Sequence, residues 1–102
     1  MINFIKIDAI NYDVEESNGP LIVNGKECGG EIDYLTTKIK ILNSLSKEKQ
    51  KWVLMHEIMH GIMYERHLED NKTTDETVLD ELASAFIALI RDNPELIKLL
   101  KE

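Results

Sequence analysis

Trp52-Val53-Leu54-Met55-His56-Glu57-Ile58-Met59-His60-Gly61-Ile62-Met63 decides the reading of this chain. It is apolar at nearly every position, and a helix apolar nearly all round is a buried one. The polar exceptions are His56, Glu57 and His60, an H-E-x-x-H arrangement. On an α-helix, residues four apart share a face, so both imidazoles can bind one zinc ion. Glu57 lies about 100° round the axis from His56, beside the metal and not on it. There it can take a proton from water, whose pKa zinc lowers toward roughly 7. The plainer reading is a pair of satisfied core histidines. Two His and a Glu inside an apolar helix are costly without partners, and a metal supplies one. The motif therefore marks a zinc site with His56 and His60 as ligands and Glu57 as the catalytic base.

Outward from this helix the chain reads as one α+β domain over residues 1–102. Phe4–Ile7 and Tyr12–Glu15 are candidate strands. Leu21–Val23 and Lys26–Cys28 flank Asn24-Gly25, the signature of a type I′ hairpin turn. Glu31–Leu35 and Lys38–Leu42 alternate with period two about Thr36-Thr37. Together these predict a small antiparallel sheet with one wet face. Ser46 is a suitable N-cap for a helix over Lys47–Arg66. Glu69–Thr74 reads as a loop, and Thr73-Thr74-Asp75-Glu76 as a capping box opening a second long helix to about Arg91. Its apolar stripe is Leu79, Leu82, Ala83, Phe86, Ile87 and Ile90. Asn93-Pro94-Glu95 ends that helix and starts a short C-terminal one. The expected architecture is the sheet packed on the zinc-motif helix, with the two later helices beside it.

Composition narrows the partners. The 102 residues are 43% hydrophobic and 30% charged, and the net charge is −7. That balance argues against direct nucleic-acid binding, which depends on neutralising phosphates. Lys47, Lys49 and Lys51 alternate with Glu48 and Gln50, as on a solvated helix start. No run of 18 apolar residues predicts a membrane span. Met1–Lys6 lacks the pattern of a signal peptide. One cysteine, Cys28, fits a reducing compartment and a cytoplasmic location, and its place before Gly29-Gly30 reads as a strand position more than a metal ligand.

A catalytic zinc takes three protein ligands and keeps one position open. His67 lies about 10.5 Å beyond His60 along a continuous helix, too far to join it. The longer H-E-x-x-H-x-x-G-x-x-H pattern fails, with Met63 and Arg66 at the later positions. The third ligand is then expected from the second helix, whose acids are Asp75, Glu76, Asp80 and Glu81. Asp75 and Glu76 have a capping role to account for them, and Glu81 falls opposite the apolar stripe. Asp80, at the edge of the stripe, is the expected ligand and Glu76 the second choice.

Gly30–Tyr34, His56–Gly61 and Asp80–Phe86 together resemble the ImmA/IrrE family of small metallopeptidases, in its compact phage and mobile-element version. The last stretch is similar to the family's acid-x-x-Ala-Asn-x-Phe segment, whose acid is the third ligand. This register also points to Asp80. Ser84 stands where the family has Asn, and Asp80 where it has Glu. The resemblance implies zinc-dependent cleavage of a transcriptional repressor. On this reading the peptide substrate adds to a sheet edge at Lys38–Leu42, and Tyr64, one turn beyond His60, is a candidate oxyanion donor or an ordinary half-buried tyrosine. The rival expectation is a zinc-containing regulatory module that acts by binding a repressor or host protein. A chain this short predicts little room for a deep cleft, which favours the rival.

Overall fold

A computed structural model describes residues 2–68 and 75–102. The fold class is α+β, as expected. Six strands precede three helices: β1 (Phe4–Ile7), β2 (Ile10–Ser17), β3 (Leu21–Val23), β4 (Lys26–Cys28), β5 (Gly30–Asp33), β6 (Lys38–Leu42), α1 (Lys47–Glu65), α2 (Glu76–Asp92) and α3 (Pro94–Leu100).

Local signals set most of these bounds. Asn24 and Gly25 both adopt positive φ, 53° and 77°, as the I′ turn between β3 and β4 requires. The Ser46 side chain caps α1 by accepting from Lys49 N. Pro94 starts α3, where its missing N–H is no loss. The cap of α2 differs from expectation. Thr73 and Thr74 lie outside the described residues, and it is Asp75 that accepts from Thr77 N at the helix start.

The sheet is mixed, not wholly antiparallel. Its order is β1-β2-β6-β5, while β3 and β4 form a separate two-stranded ribbon. β2 and β6 pair in parallel, Val14 opposite Ile39 and Glu16 opposite Ile41. A parallel pair needs a long crossover. Here the β3–β4 ribbon and β5 supply it, leaving β1 and β5 at the edges. Lys38–Leu42 is therefore an interior strand, paired on both sides, and cannot be the peptide-binding edge expected of it.

The expected wet face is present. Ile39 and Ile41 are fully buried while Lys38 and Lys40 point outward, pairing with Glu15 and Glu31. On the inner face Ile7, Tyr12, Ile39 and Ile41 pack against Val53, Leu54, Ile58 and Ile62 of α1. The opposite side of α1 meets α2 through Met55, Met59 and Met63 against Leu79 and Ala83. Burying each of the large side chains contributes about 1.5–3 kcal/mol. α1 is thus the middle layer, which explains why its sequence is apolar on more than one face. Two glycines permit the close packing. A Cβ at Gly61 would lie 2.6 Å from Ile7 Cδ1, and one at Gly30 would lie 2.5 Å from Val53 Cγ1.

The stripe assigned to α2 is only half used. Leu79 and Ala83 are buried, but Leu82, Phe86 and Ile90 are 40–44% exposed. Trp52 Nε1 donates to Ser84 Oγ, and Arg91 pairs with Glu48. These contacts join the start of α1 to the second half of α2. Among the described residues, no helix is long and apolar enough to cross a membrane.

Candidate metal centre

α1 presents His56, Glu57 and His60 along one stretch, their ligand-capable atoms within 4.8 Å of one another. Glu57 is 6% and His60 9% exposed. The two imidazoles meet edge to face, ring centroids 4.8 Å apart. This His-Glu-His group could hold a metal ion.

α2 delivers two carboxylates to the same place. Glu76 Oε2 is 2.9 Å from His56 Nε2, and its Oε1 is 3.0 Å from His60 Nε2. One carboxylate therefore spans the two nitrogens that face each other. Asp80 lies one turn further along α2, with Oδ1 2.7 Å from His56 Nδ1 on the other side of that ring. The contact is short, yet Nδ1 is buried without a partner in hydrogen-bonding direction. We read the pair as an ion-pair approach that is misaligned for a hydrogen bond. A buried polar atom left this way is costly.

Both carboxylates weighed from the sequence reach the histidines: Asp80, the expected ligand, at Nδ1 of His56, and Glu76, the second choice, at Nε2 of both rings. With Asp75 capping α2, Glu76 is the first helical residue and its side chain is released from the capping role read from the sequence. Glu76 and Asp80 are four apart and share a helix face, a pairing visible in the sequence. Glu81 is exposed, as expected. His67 is also exposed, and it follows the end of α1 with φ of 59°.

Three features around the centre need the tertiary structure. An open cleft of 1310 Å³ runs over His56, Glu57 and His60, between β5 with the β3–β4 ribbon on one side and α1 with Glu76 and Asp80 on the other. Small-molecule pockets are commonly about 300–1,000 Å³, so this one has room for an extended chain. It is an open groove, so its volume does not bear on the expected lack of a deep cleft. Tyr64 lines the cleft, 38% exposed. Its ring stacks on Tyr34 at 4.0 Å between centroids and 1° between planes. Cys28 also lines the cleft. Burial raises its thiol pKa, and the nearby negative charges of Glu57 and Glu31 raise it further. Cys28 ends β4, the strand position read from the sequence.

No family model, curated protein or solved structure matches this chain.

Proposed function

We propose that this protein is a zinc metallopeptidase, with His56, His60 and Glu76 holding the ion, Glu57 as general base and Asp80 orienting His56. The observation that carries the reading is the Glu76 carboxylate lying within 3.0 Å of both Nε2 atoms. One carboxylate in reach of both imidazoles would let these three residues hold the ion together. Two imidazoles and a carboxylate are a donor set suited to catalytic zinc. Asp80 beside the other nitrogen of His56 matches the carboxylate that commonly orients a ligating histidine.

When bound, the ion supplies a Lewis acid for the scissile carbonyl and acidifies the attacking water. Glu57 takes the proton from that water and passes it to the leaving amine nitrogen. Its burial shields this transfer from bulk solvent. The substrate chain lies in the cleft along β5, an edge strand whose outer side borders the motif residues, and adds to it by main-chain hydrogen bonds. The resemblance to the ImmA/IrrE family suggests a phage or mobile-element repressor as substrate, and the single thiol suits the cytoplasm.

A second reading is a regulatory module that binds its partner without cutting it. The exposed apolar residues of α2 favour that reading. The experiment is incubation of the zinc-loaded protein with the repressor encoded beside its gene, with and without chelator. Chelator-sensitive cleavage that Glu57→Gln abolishes supports the peptidase. Repressor binding without cleavage supports the module.

A further inference from the structure

Resting on the peptidase reading, we propose that Tyr34 and Tyr64, with Leu35, form the specificity wall of the cleft. They receive a bulky apolar side chain two or three residues before the scissile bond.

The placement follows from how β5 lies along α1. At one end, the Gly30 backbone abuts Val53; further along, Ile32 reaches Gly61. The strand and helix then arrive together at Tyr34 and Tyr64, whose rings stack. The lengths agree: four strand steps cover about 13 Å and eleven helical steps about 16 Å. The metal centre falls between these ends. Tyr64 is six residues beyond the midpoint of His56 and His60, about 9 Å along the axis, or nearly three strand residues. A peptide pairing antiparallel with β5, the stronger pairing mode, runs the opposite way. Its N-terminal part therefore lies at the tyrosines.

The chemistry of the wall is apolar and preorganised. Tyr34 and Tyr64 both line the cleft, as one stacked aromatic unit. Leu35, which also lines the cleft, is 90% exposed and serves no core. The turn that carries Tyr34 and Leu35 is held by Asp33, whose Oδ1 accepts from Leu35 N at 3.0 Å and Thr36 N at 3.1 Å. A surface fixed before binding loses little entropy on accepting a side chain.

The test uses zinc-loaded protein and a mixture of short peptides randomised at every position. Cut products are read by mass spectrometry. Capture of uncut peptides on zinc-loaded Glu57→Gln protein is read in parallel. Products and captured peptides should be enriched in Leu, Ile, Phe or Tyr, two or three residues before the cut in the products. Tyr34→Ala and Tyr64→Ala should each lower that enrichment about 10-fold and leave other positions unaltered, while Phe at either site keeps it. Leu35→Asp, at a side chain too exposed to affect folding, should lower it as well. Enrichment unchanged in the Ala and Asp variants, or found only after the cut, overturns the wall. If the wild type cuts nothing but capture shows tyrosine-dependent enrichment, the tyrosines still hold an apolar side chain, and the placement before a scissile bond falls with hydrolysis. Capture without that dependence, or no capture, overturns the wall.

Discussion

Replacing Glu76 and Asp80 one at a time separates a metal ligand from the residue that orients one. Both carboxylates touch His56, but on different nitrogens: Glu76 at Nε2, 2.9 Å away, and Asp80 at Nδ1, 2.7 Å away. Only Glu76 also reaches His60 Nε2, at 3.0 Å. Glu76 is in reach of both Nε2 atoms and would hold the ion with the two histidines, whereas Asp80 lies at the other nitrogen of the His56 ring. Removing a partner that only orients a ligating histidine costs about 10–100-fold in metal affinity. Asp80→Ala should fall in that range. Glu76→Ala removes a direct donor and should exceed it, losing more than about 100-fold. The assay is zinc competition against a chromophoric chelator, with circular dichroism confirming that both variants fold. A larger loss for Asp80→Ala than for Glu76→Ala would refute the assignment and return Asp80 to the ligand position indicated by the helix stripe.

Glu57→Gln should keep zinc stoichiometry near one per chain while abolishing cleavage, because the amide cannot take the proton; elemental analysis beside a cleavage assay checks both halves. Chelator should lower the melting temperature, since the proposed ligands join α1 to α2 and metal affinity at such a site is partly folding energy. Equal melting curves would count against a shared site. Gly61→Ala should destabilise the fold by about 1–3 kcal/mol in urea titration, the usual cost of overpacking, because its Cβ would meet Ile7 Cδ1 at 2.6 Å. Met59→Ala, at a side chain 8% exposed between the helices, should cost about 2–5 kcal/mol.

Features carried by neighbouring residues were legible without the structure. The I′ hairpin at Asn24-Gly25, the Ser46 cap, the Pro94 helix start and the bounds of β1, β3, β4 and β6 all depend on chemistry within a few positions. So does the shared face of His56 and His60, which helical geometry alone provides. What joins distant segments was not legible. The alternation of Lys38–Leu42 marks an inward and an outward face, but is the same in an edge or an interior strand. Parallel docking of β2 made it interior and passed the cleft edge to β5. The stripe of α2 gave its orientation only to within a residue or two. A cap at Asp75 in place of Thr73 brought Glu76 onto both histidines, while packing on α1 used Leu79 and Ala83 and left Phe86 and Ile90 exposed. The stacking of Tyr34 on Tyr64 spans thirty positions of sequence, and no local pattern specifies it. Sequence determined which residues have metal-binding chemistry; the packing of α2 and β5 against α1 decided which nitrogens each carboxylate reaches and where the cleft runs beside them.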